Sequence, residues 1–125
     1  MSPAKDAAQV RSVHDQYLQA LGAGDMDTVA ELFTFPAAFK GFLDDVILAT
    51  DKASLLAAYE QLIAVAPTAT RMELLDVEVN YIRPQVYELA MIYEQYGAED
   101  ALIHSGRAVY FMKPVDGAFK IFAVF

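Results

Sequence analysis

Val10, His14, Tyr17 and Leu21 recur at spacings of four, three and four, which places them on one stripe of a helix predicted from about Asp6 to Gly22. His14 is thereby directed inward. Gly24 can adopt the left-handed backbone that ends a helix, and Asp25 or Asp27 can cap a second one over about Met26 to Phe33. The Gly-Asp pair is read as punctuation rather than as a phosphate loop. Pro36 interrupts helix, and Ala37 to Phe42 and Val46 to Ala49 flank Leu43-Asp44-Asp45 as a small irregular hairpin with both acids in its turn. Thr50 or Asp51 then caps a third helix, with Leu55, Leu56, Tyr59, Leu62 and Ile63 on one apolar face, stopped by Pro67.

From Arg71 onward the period changes to two. Val77, Val79 and Tyr81 alternate with Asp76, Glu78 and Asn80, and Arg83-Pro84-Gln85 turns the chain into Val86 to Tyr96. Ala98-Glu99-Asp100 leads into Leu102 to Lys113, and Pro114-Val115-Asp116-Gly117 leads into Ala118 to Phe125. The pattern is an antiparallel meander. With Gly97 to Asp100 as one loop tip, Tyr93 falls opposite His104, Met91 opposite Gly106, Leu89 opposite Ala108 and Tyr87 opposite Tyr110. With Pro114 to Gly117 as the next tip, Met112 falls opposite Phe119, Tyr110 opposite Ile121 and Ala108 opposite Ala123.

One face then carries Tyr87, Leu89, Met91, Tyr93, His104, Ala108, Tyr110, Met112, Phe119 and Ile121, and it is assigned to the concave side under the helices. The other face carries Ile92, Ile103, Arg107, Val109, Phe111, Lys113, Phe122 and Val124 among others, with a diagonal Glu88 to Arg107 pair. A surface that mixes large apolar groups with charges of both signs is too apolar to leave wet, so homodimerisation through it is expected.

A chain of 125 residues is expected to form one domain, residues 1–125, with a single core. A net charge of −8, from 17 acidic and 9 basic residues, repels phosphate backbones and makes nucleic acid an unexpected partner. The absence of cysteine removes disulfides, thiolate nucleophiles and cysteine-ligated metals. No run reaches the ~20 apolar residues of a membrane span and the first residues carry no signal-peptide core, so a cytoplasmic, membrane-free protein is the expectation. An apolar content of 56% exceeds the usual ~45 to 50%, and part of the excess is assigned to a cavity or a subunit interface.

The segment Tyr17-Leu18-Gln19-Ala20-Leu21-Gly22-Ala23-Gly24-Asp25-Met26-Asp27, with the aromatic alternating tail from Gly106 to Phe122, resembles the nuclear transport factor 2-like superfamily, including its SnoaL-like and ketosteroid isomerase-like branches. Phe35-Pro36 after the second helix and Leu48-Ala49-Thr50-Asp51 before the third resemble an uncharacterised bacterial group of such domains. The resemblance implies an α+β fold: three N-terminal helices packed on a strongly curved antiparallel sheet, a cystatin-like cone with a pocket. It also implies that Tyr17 donates a hydrogen bond to a developing enolate, which a phenol in a dry pocket does well because low dielectric strengthens the bond. The base expected eight residues beyond the Leu-Phe pair is missing, since Leu32-Phe33 leads to Gly41, and Ala108 stands where the second oxyanion donor is expected. Steroid isomerisation by that route is therefore not expected. An Asp-Arg-Asp arrangement, as in an epoxide hydrolase of the superfamily, would call on Arg107, which parity directs away from the cavity.

Two histidines remain as candidate acid/base groups. His104 on the concave face near Tyr93 and His14 one turn before Tyr17 could reach one cavity from opposite walls, and imidazole suits proton transfer near neutral pH. One reading makes His104 or His14 a general base with Tyr17 stabilising the oxyanion; the other makes each a buried histidine hydrogen-bonded to a tyrosine. Tyr59, Tyr87, Met91, Tyr93, Tyr110 and Phe119 are the candidate ligand-binding wall, with Tyr59 equally explicable as packing. Two distant histidines without His-Glu-x-x-His spacing make a poor ligand set, so no metal and no cofactor are expected. The expected partner is a small hydrophobic or aromatic molecule, handled by an isomerase, dehydratase or cyclase of a carbonyl compound or, alternatively, by a non-catalytic binding or dimerisation module.

Overall fold

The computed structural model describes residues 3–125. Helix α1 runs Pro3–Gly22 and buries the stripe of Val10, Val13, His14 and Tyr17, with Leu21 half-buried. It starts three residues earlier than its pattern suggests, which turns Asp6 into a buried first-turn residue on the same stripe. Carboxylates are expected to face outward; Asp6 does not.

The chain reverses at Gly24, whose φ of +72° is the left-handed region that glycine enters without steric cost. The Asp25 carboxylate then caps α2, Met26–Glu31, accepting from the Thr28 amide at 3.2 Å and its hydroxyl at 2.6 Å. This helix ends two residues short of Phe33, because Phe33–Phe39 is strand β1 rather than helix end and loop. Strand β2, Ile47–Ala49, pairs with it antiparallel, so the irregular hairpin is real but its first strand begins earlier and includes Pro36. Helix α3, Lys52–Val65, is opened by a capping box: the Ser54 amide donates to the Asp51 carboxylate at 2.8 Å, and the Asp51 amide to the Ser54 hydroxyl at 3.1 Å. Of its apolar face, Leu55 and Tyr59 are buried while Ile63 stays exposed.

Strands β3 (Arg71–Arg83), β4 (Val86–Tyr96), β5 (Leu102–Val115) and β6 (Ala118–Val124) form the meander, with a short 3₁₀ turn, Ala98–Asp100, before β5. The six strands lie in the order β2-β1-β6-β5-β4-β3, curled and unclosed, with the helices on the concave side. All neighbours are antiparallel except β1 with β6, which are parallel. The core joins Val10, Val29, Phe39, Leu55, Leu89, Met112 and Ile121.

The register differs from the sequence-based one by two residues in β4 and β5: Tyr93 faces Gly106, Met91 faces Ala108, Leu89 faces Tyr110 and Gln95 faces His104. A slip of two conserves the faces, because side chains alternate with period two. In the last hairpin the turn is only Asp116-Gly117, with φ of +51° and +84°, the two-residue geometry whose twist suits a hairpin. A bulge beyond Phe111/Met112 then sets Tyr110 opposite Val124, so Val124 turns to the concave side and not to the outer one. The Glu88–Arg107 pair is present at 4.0 Å. No helix among the described residues is long and apolar enough to cross a membrane.

Candidate functional site

A cavity of about 620 Å³ lies between the C-terminal halves of α1 and α3 and the concave faces of β4 and β5. Helix α1 contributes Tyr17, Leu18 and Leu21; α3 contributes Tyr59, Leu62 and Ile63. The sheet supplies Met91, Tyr93 and Gln95 from β4, and His104, Gly106, Ala108 and Tyr110 from β5. The concave positions between His104 and Tyr110 carry small residues, Gly106 and Ala108. No aspartate or glutamate is among the lining residues, although the chain has 17.

The inner wall is a phenol cluster. The Tyr17 and Tyr59 hydroxyls are 2.7 Å apart, and the Tyr110 ring stands edge-on to Tyr17 at 5.3 Å. Burial pushes the Tyr17 hydroxyl well above the usual phenol range, with the nearby Tyr59 adding to it; burial does the same for Tyr59 and Tyr110. All three stay protonated near neutral pH, so the cluster offers O–H donors in a low-dielectric wall. Phe33 and Phe39 pack edge-on against Tyr59 from behind and hold it in place.

Towards the mouth, the His104 Nε2 lies 3.3 Å from the Tyr93 hydroxyl, and Phe42 stands edge-on to the imidazole at 5.0 Å. Burial raises the Tyr93 hydroxyl above its ordinary value. Tyr17 and His104 thus line one cavity, as do Tyr59, Met91, Tyr93 and Tyr110.

His14 is placed elsewhere. It is 1% exposed and packs edge-to-face on Tyr110 at 4.8 Å, behind the wall and not among the lining residues. Burial pushes its imidazole down to about 4, against a small opposing effect of Asp15, and its Nε2 has no hydrogen-bond partner among the described residues. The two histidines therefore do not meet across one hollow. Tyr87 and Phe119 also lie outside the lining; their rings meet at 5.7 Å, and the Tyr87 hydroxyl donates to the buried Asp6 carboxylate at 2.9 Å. Asp6 carried a readable signal, four residues before Val10 on the inward stripe. Gln95 and Phe42 carried none, since their roles follow from strand register and loop path.

Gly41 and Ala108, the positions that the resemblance pairs with a catalytic base and a second oxyanion donor, both border the cavity and bring no acid to it. Arg107 also borders it, while its guanidinium lies against Glu88 on the outer face. Among the described residues no group of three His, Cys, Asp or Glu side chains converges as a metal site would require.

No protein-family model and no curated protein matches this chain. Solved structures similar to it include an NTF2-like protein of unknown function from Pseudomonas putida KT2440, at 13% identity and a TM-score of 0.76, covering 99% of this chain and 86% of the other. A Catenulispora acidiphila structure in complex with S-DNPA aligns at 13% identity and 0.70, over 98% and 92%. A ketosteroid isomerase-like protein from Erwinia carotovora atroseptica SCRI1043 aligns at 14% identity and 0.71, over 95% and 92%. At these identities the likeness is one of fold.

Proposed function

From the nuclear transport factor 2-like fold of this chain, we propose that its cavity binds a small hydrophobic or aromatic carbonyl compound and moves a proton on it, as an isomerase, dehydratase or cyclase does. The observation that carries the reading is the presence of an imidazole and a cluster of protonated phenols in one apolar cavity. In this scheme His104 takes a proton from the carbon next to the carbonyl, and the electron pair of that C–H bond moves onto the carbonyl oxygen. The Tyr17 hydroxyl, braced by Tyr59, donates to the resulting oxyanion, and the imidazolium of His104 returns the proton at a second position. Tyr59, Met91, Tyr93 and Tyr110 form the wall; Tyr87 and Phe119 support it from outside, and His14 buttresses Tyr110. No cofactor or metal enters the scheme.

A second reading, a non-catalytic ligand-binding module, is favoured by the lack of any lining carboxylate, which leaves one imidazole as the single candidate base among the lining residues. The outer face, with Ile92 and Ile103 exposed beside the Glu88–Arg107 pair, suits a two-fold contact with a second copy.

One experiment separates the readings. With 2-acetylnaphthalene as probe, the wild-type protein should bind it and speed exchange of its methyl protons with D₂O, followed by proton NMR, while His104→Ala binds it without the acceleration. Binding with no acceleration by the wild type selects the module. Absence of binding removes both.

A further inference from the structure

Tyr93 stands opposite Gly106 and His104 opposite Gln95, so His104 and Tyr93 are diagonal neighbours on the concave face and not a directly opposed pair. The imidazole reaches the phenol only by folding along its own strand, over residue 106. A Cβ at that position would lie 2.6 Å from the His104 Nε2 and 3.0 Å from the Tyr93 hydroxyl oxygen. The first distance is shorter than real Cβ contacts and the second is at their short limit, so the imidazole would have to shift and the phenol to give by a few tenths of an ångström. The backbone of Gly106 needs no glycine, since it is extended strand, and a glycine inside a strand forgoes packing and costs conformational entropy. The empty volume is what the glycine provides.

We propose that Gly106 is a positioning residue of the proton-transfer site: its missing side chain makes the room in which the His104 imidazole turns onto Tyr93, committing Nε2 to the phenol and leaving Nδ1 as the nitrogen open to a ligand. This rests on the reading of His104 as the acid/base group. A phenol O–H is a stronger acid than a neutral imidazole N–H, so the hydroxyl donates to Nε2 and the neutral ring carries its proton on Nδ1. Accepting a proton from a ligand at Nδ1 requires the other neutral tautomer, in which Nε2–H donates to the Tyr93 hydroxyl oxygen and Nδ1 carries the free lone pair. Tyr93 thereby acts through His104.

The test uses ligand-free protein, so it is independent of whether any carbonyl compound binds. Long-range proton–nitrogen NMR of the imidazoles should show the His104 Nε2 resonance moving in Tyr93→Phe, and moving likewise in Gly106→Ala with the backbone amide spectrum retained. In urea unfolding, Gly106→Ala should lower the midpoint by more in the wild-type background than in the His104→Ala background, where the nearer ring is gone and only the Tyr93 contact at 3.0 Å remains. An Nε2 resonance indifferent to both substitutions, or an equal loss of midpoint in the two backgrounds, overturns the proposal. If these results hold and 2-acetylnaphthalene still fails to bind, the positioning stands and the carbonyl reading falls.

Discussion

The hydroxyl oxygens of Tyr17 and Tyr59, 42 residues apart in the chain, meet at 2.7 Å in the buried wall of the cavity. They share one hydrogen bond there, and the Tyr110 hydroxyl adjoins Tyr17. Tyr17→Phe or Tyr59→Phe removes one partner and strands the other, so each should cost about 1–3 kcal/mol in urea unfolding. The double variant should cost less than the two together, because the bond they share is then lost only once. Additive losses would mean that the two phenols do not depend on each other.

His14 supplies a pH dependence. Its imidazole is held down to about 4 by burial, against an ordinary value of 6.5, so between these values the unfolded chain binds a proton that the folded one refuses. Stability contributed by the neutral ring is full above pH 6.5 and declines as pH falls towards 4, by on the order of 3 kcal/mol. In His14→Leu that part of the decline should vanish, measured as the difference between the two unfolding free energies at pH 7.5, 6, 5 and 4.5. Parallel curves would show that His14 titrates alike in both states.

Ala108 leaves floor space between Gly106 and Tyr110. Ala108→Phe should fill part of the cavity and lower affinity for 2-acetylnaphthalene at least tenfold by calorimetry, while the far-UV spectrum stays unchanged. Retained affinity would locate the ligand elsewhere.

Asp51 closes a capping box at the start of α3, the helix that carries Tyr59. Asp51→Ala should lose about 1 kcal/mol in unfolding, and Asp51→Asn should recover most of it. The hydrogen bonds from Ser54 hold the Asp51 carboxyl below its ordinary value, so this contribution is present above about pH 4 and fades as pH falls through the folded value.

The faces of the sheet were legible because alternation is a local property: whichever partner a strand residue meets, its neighbours on either side point the other way. Tyr93, His104 and Tyr110 were therefore placed on the concave face even though the β4–β5 register was two residues off. That placement failed at Val124, where a bulge in the β5–β6 pair inserts one residue and reverses the alternation beyond it. The inward turn of His14 was equally legible from the helical stripe. What it turns towards was not, because the stripe fixes a direction from the helix axis and says nothing of which strand residue lies ahead; Tyr110 does, and it closes His14 off from the cavity.

From its order of residues alone, this chain prescribes three helices, the second and third with their caps, a meander of alternating strands, and a tyrosine and histidine aimed at a shared interior, all of which follow from periodicities of 3.6 and 2 and from capping chemistry. The tertiary structure decided the rest: which phenols touch, which histidine reaches the cavity, and that an absent side chain at Gly106 sets two others together. Those outcomes depend on hairpin register, one bulge and the depth at which helices seat on a curved sheet, and none of these is written in the spacing of residues within a single element.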